Sequence, residues 1–159
     1  MDPTVAALIG AALGAIATAT VPLMTTRARK REVADERRRS DTVALLDVMI
    51  RLLKARRLDE WRRFTETHSE AVVALQRLLI NADSRDAKHL QMMGNFALES
   101  ISNEENVALA EVGVEAMSEV LSRWCRRELK GNAIANAYEP AMQVQFEKHG
   151  ARWRDSAQR

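Results

Sequence analysis

Residues 102–131 read SNEENVALAEVGVEAMSEVLSRWCRRELKG, and this stretch decides the fold class. Val107, Ala110, Val114, Met117, Leu121 and Trp124 recur at alternating steps of three and four residues. That heptad spacing gathers apolar groups on one stripe of an α-helix. Ser102 with Glu105 three residues on matches a capping box and predicts the helix start. Arg126, Arg127 and Lys130 ahead of Gly131 are the cations and the glycine expected at a helix end.

Working outward, the same periodicity returns. Leu90, Met93, Phe96, Ala97 and Ile101 predict an inward face on a preceding helix. The polar run Asn81-Ala82-Asp83-Ser84 reads as its leading loop, with Ser84 or Asp83 as the cap. Before it, Leu58, Trp61, Thr65, His68, Val72, Leu75 and Leu79 form a seam flanked by Phe64, Ala71 and Leu78. Earlier still, Val43, Leu46, Ile50 and Leu53 form another, widened by Leu45, Val48, Met49 and Leu52. Nothing near Arg56–Arg57 breaks a helix, so the residue types leave open whether a turn separates these two seams. On the C-terminal side, Pro140 suits a helix start and Gly150 a position past its end. Residues 151–159 read as a polar, flexible tail. With only 6 Gly and 3 Pro and no period-two alternation, the expectation is all-α, with an antiparallel helical bundle over residues 42–150.

The N-terminal 41 residues have a different character. From Pro3 to Met24 there are 22 residues without a charge, about 33 Å as a helix and long enough for a ~30 Å hydrocarbon core. A buried soluble helix is usually shorter, and a cleaved signal peptide usually begins with Lys or Arg rather than Asp2. Residues 1–26 are therefore expected to be a transmembrane anchor and 27–41 a basic juxtamembrane stalk continuing its helix. Arg27, Arg29, Lys30, Arg31, Arg37, Arg38 and Arg39 resist translocation. They predict a plasma-membrane protein with its N-terminus out and its body in the cytoplasm, and anionic lipid is the partner such a cluster suits. Ala6, Gly10, Gly14 and Thr18 form a row of small side chains at four-residue spacing, which predicts packing of one span on another and hence a homo-oligomer.

Charge is unevenly spread although the formal net charge is only +2. Residues 27–57 hold eleven Lys/Arg against five Asp/Glu, whereas 58–131 hold nine against thirteen. The basic stretch contains no aromatic residue for base stacking, so nucleic acid is not the expected partner.

Catalytic and metal readings find little footing. His68 lies on an apolar seam beside Thr65, where a hydrogen-bonded core histidine is the commoner outcome than a pH-sensitive or ligand-binding one. Asp86 and His89 stand three apart, half of a dimetal helical motif whose second half is missing. Glu111, Glu115 and Glu119 line up at four-residue spacing opposite the heptad seam, a solvated face with a Glu119–Arg123 pair. His149 adjoins an expected helix end, and Cys125, the only cysteine, reads as a packing residue beside Trp124. No phosphate-binding glycine loop or zinc spacing is present, and neither a cofactor nor an enzymatic activity is expected.

The opening Met1-Asp2-Pro3 with Val5-Ala6-Ala7-Leu8, then Gly10-Ala11-Ala12-Leu13-Gly14 and the Arg-rich stalk, resembles uncharacterised actinobacterial single-pass, membrane-anchored helical proteins. The resemblance covers mainly the first 40 residues and implies an architecture, with no activity or functional residue to carry over. The expected function is a non-enzymatic, membrane-tethered helical interaction or scaffold protein that self-associates and has a protein partner of unidentified nature. The competing class is a small membrane-perturbing protein, holin-like or phage-excluding, which would devote more of its length to the bilayer.

Overall fold

The computed structural model describes the backbone of residues 3–103 and 107–157 and the side chains of residues 28–103 and 109–150. Five helices follow one another: α1 (Pro3–Arg57), α2 (Trp61–Asn81), α3 (Ser84–Ser102), α4 (Val107–Cys125) and α5 (Asn132–Ala157). No strand occurs among the described residues, so the chain is all-α. It divides into two units, Met1–Glu36 and Arg37–Arg159. In the first, the described side chains are exposed apart from the half-buried Asp35. The side chains of the expected anchor, including Ala6, Gly10, Gly14, Thr18 and Arg27, lie outside the described residues, as do those of the expected tail. Among the described residues no helix is long and apolar enough to cross a membrane.

The second unit is built around α4. Ala110, Val114, Met117, Leu121 and Trp124 are all buried, as their heptad spacing predicts, and Val112, Ala116 and Val120 are buried too. A helix apolar on more than one side belongs in the centre of a bundle. Leu90, Met93, Ala97, Leu98 and Ile101 of α3 join it, as do Leu45, Met49 and Leu52 of α1.

On α1 and α2 the core face is rotated from the expected one. Val43 and Ile50 are 66% and 60% exposed, while Leu45, Val48, Met49, Leu52 and Ala55 face the core. On α2 the buried row is Thr67, Ala71, Leu75 and Leu78, leaving Trp61, Thr65 and Val72 exposed, and Leu58 is exposed in the turn that precedes it. Both helices carry more apolar residues than one stripe accommodates, so several seams fit the sequence and packing selects among them.

The helix ends also differ. α1 stops at Arg57, where Asp59 takes φ 56°. The amide N–H of Glu60 donates to Ala55 (3.0 Å) and that of Asp59 to Arg56 (3.3 Å). α4 stops at Cys125 rather than at Gly131, with Arg127 at φ 62°, Glu128 donating to Arg123 (3.0 Å) and Arg127 to Trp124 (2.9 Å). These paired bonds are Schellman caps with Asp and Arg at the left-handed position that glycine usually fills. Gly131 itself has φ +52° and leads directly into α5.

Ser102 is the last residue of α3, its hydroxyl donating to the Leu98 carbonyl at 2.9 Å, and is not the cap of α4. Glu105 lies outside the described residues. Pro140 sits inside α5 and Gly150 likewise. Ile134 and Ala141 are buried on either side of Pro140, so core packing outweighs the hydrogen bond it removes.

Candidate functional site

Three polar clusters tie the second unit together. Asp86, buried in the first turn of α3, accepts the indole N–H of Trp124 at 2.8 Å and the Gly131 amide at 2.7 Å. Both its oxygens are engaged in holding the end of α4 to α3. Among the described residues no cluster of His, Cys, Asp and Glu is arranged to hold a metal ion. Arg38 lies over the Trp124 ring at 4.4 Å and pairs with Asp83 at 3.6 Å. This residue of the basic cluster is packed onto the body, whereas Arg29, Lys30, Arg31, Arg37 and Arg39 are exposed. Cys125 is half-buried, with the Thr42 hydroxyl 3.2 Å from its sulfur.

The second cluster is on α1 and α2. Asp41, buried, pairs with Arg77 at 2.8 Å and accepts from the Asn81 side chain at 2.7 Å. The third joins α4 and α5: His149, only 5% exposed, lies 3.7 Å from Glu111 and 3.3 Å from Glu115, and Arg57 of α1 bonds Glu111. The glutamate row is therefore not simply solvated. Glu119 receives Gln145 at 3.4 Å, and Arg123 lies 3.6 Å from Glu128 instead of forming the expected partner of Glu119. An imidazole so enclosed ties two helices and is closed to a substrate. His68 is half-buried, its ring 6.0 Å from that of Phe64.

A groove of about 730 Å³ lies open between α3 and α5. From α3 come His89, Met92, Met93 and Phe96, one stripe at helical spacing. From α5 come Ala135, Tyr138, Met142 and Phe146, with Glu139, Gln143 and Glu147 forming the adjoining row. Phe96, expected to point into the core, stands on the wall with its ring edge-on to Tyr138 at 6.0 Å. Met92 is 59% and Phe146 45% exposed. Tyr138 anchors the floor: its hydroxyl donates to the Gly113 carbonyl of α4 at 3.3 Å, and burial raises its pKa above the ordinary value. Nδ1 of His89 is buried without a hydrogen-bond partner.

Met93 and Phe96 were legible as inward helical positions, but the α5 wall was not, because α5 starts at Asn132, well before the expected start at Pro140. Comparison with protein families, curated proteins and solved structures finds no match to this chain.

Proposed function

We propose that this chain is a non-enzymatic helical interaction protein, tethered to the membrane by residues 3–24, that self-associates and receives a partner in the α3/α5 groove. The observation that carries the reading is the groove itself. Flexible methionines and aromatic rings stand half-exposed at a site where burial against a partner recovers hydrophobic free energy, and such patches mark interaction surfaces. The tether is supported by the uncharged run 3–24 and the basic residues that follow it.

The test is recovery of partners from native membranes with the full chain and with a Met92→Glu/Phe146→Glu variant, whose sites are exposed enough to tolerate charge. A partner retained by the parent and lost by the variant is the expected result. Identical recovery by both would reject the groove as the interaction surface.

A further inference from the structure

The groove is apolar along its floor but not neutral along its edge. Glu139, Gln143 and Glu147 succeed one another at four-residue spacing on α5, and the lining contains no Lys or Arg. Ala135 to Glu147 spans twelve residue steps, a wall about 18 Å long, and the two carboxylates stand about 12 Å apart along the axis. From these dimensions and this charge we infer that the occupant is a basic amphipathic helix of a partner protein. The inference rests on the interaction reading above and names the chemistry of the partner.

Four observations select that occupant. Ligand sites for small molecules enclose most of the ligand surface. Here the walls at Met92 and Phe146 are half-exposed, and a small molecule would remain largely in water. An extended peptide would find helices on both sides and no sheet edge for its backbone N–H and C=O groups, whereas a helix satisfies its own. A helix of about 12 residues matches the 18 Å wall, its apolar stripe meeting Met92, Phe96, Met142 and Phe146. Lys or Arg seven or eight residues apart on its edge then falls about 10–12 Å apart, beside Glu139 and Glu147. Methionine side chains adapt to apolar faces of varied shape, so specificity lies in the paired carboxylates.

The experiment uses the full chain in phosphatidylcholine nanodiscs, labelled with ¹³C at the methionine methyls. The probe is an amidated 14-residue Leu/Ala helix with two lysines seven apart beside its leucine stripe. A matched peptide with glutamate at those two positions is the control, and empty nanodiscs set the baseline. The lysine peptide should move the Met92, Met93 and Met142 signals saturably, while the buried Met49 and Met117 stay in place. Glu139→Lys/Glu147→Lys should weaken it about tenfold, the scale of two reversed exposed charge pairs, and should bind the glutamate peptide better than the parent does.

Absence of movement, equal affinity for the two peptides, or indifference to the charge reversal would overturn the inference. So would tetraphenylphosphonium moving the same signals at lower concentration than the lysine peptide, which would make the groove a small-cation site. If the lysine peptide fails while Met92→Glu/Phe146→Glu still abolishes partner recovery, the basic helix is wrong and the interaction reading stands. If partner recovery is unaffected by that variant, the interaction reading itself falls.

Discussion

Trp124 shows how one side chain joins several energetic contributions. Its ring is fully buried, its N–H is spent on Asp86, and Arg38 lies over its face. Trp124→Ala removes a large apolar volume and should cost about 3–5 kcal/mol. Asp86→Ala removes far less volume but leaves the indole N–H and the Gly131 amide without their acceptor. At about 1–3 kcal/mol for each stranded donor, a loss of about 2–6 kcal/mol is expected. Urea denaturation of the two variants measures both, and a shift under 1 kcal/mol for Asp86→Ala would mean that water replaces the carboxylate. Gly94 sets two effects against each other. A Cβ there would stand 2.6 Å from a methyl of Leu75, itself buried in the core. Alanine gains roughly 1 kcal/mol of helix propensity, but overpacking costs about 1–3 kcal/mol. Gly94→Ala should therefore be net destabilising by about 1 kcal/mol, and a raised urea midpoint would show that Leu75 yields freely.

The helices themselves were legible where an apolar row keeps strict heptad steps and ambiguous where irregular rows compete. On α4 the row Ala110, Val114, Met117, Leu121 and Trp124 keeps those steps and is buried as expected, with Val112, Ala116 and Val120 buried beside it because the helix is surrounded. α1 and α2 carry surplus apolar residues, so Val43 and Ile50 looked as inward as Leu45 and Met49 until the neighbouring helices were in place. The ends of α1 and α4 were hidden for a different reason. Their left-handed caps are occupied by Asp59 and Arg127, so no glycine announces them. The groove was illegible because its two walls come from separate helices, and the buried His149 because its carboxylates lie on another element. The unusual caps yield a test. A non-glycine residue in the left-handed region costs about 1–2 kcal/mol, of which glycine's extra unfolded-state entropy gives back about 0.4–1 kcal/mol. Asp59→Gly should stabilise the chain by about 0.5–1 kcal/mol. A lowered thermal midpoint would mean that the present side chain contributes more than its backbone strain costs.

At the scale of the whole molecule, the reading of residues 3–24 as a span carries its own consequence for association. Ala6, Gly10, Gly14 and Thr18 recur every four residues, and on a helix that spacing leaves a strip without bulky side chains. Lipid tails are as apolar as the helix surface, so pairing in a bilayer must draw its free energy from close packing instead of water exclusion. Gly10→Leu/Gly14→Leu should therefore abolish association in a membrane two-hybrid assay. Insertion should persist, because leucine is favourable at the bilayer centre. Carbonate extraction of the same variant separates a lost oligomer from a lost span: the expected result is a membrane-retained chain without the association signal. An undiminished signal would remove the small-residue row from the account. Association would then have to come from the second unit, where Val43 and Ile50 stand exposed one heptad apart on α1 and Leu46 and Leu53 are half-buried between and beyond them. That pattern is the remnant of an a/d seam, and Val43→Lys/Ile50→Lys would be the variant to remove it.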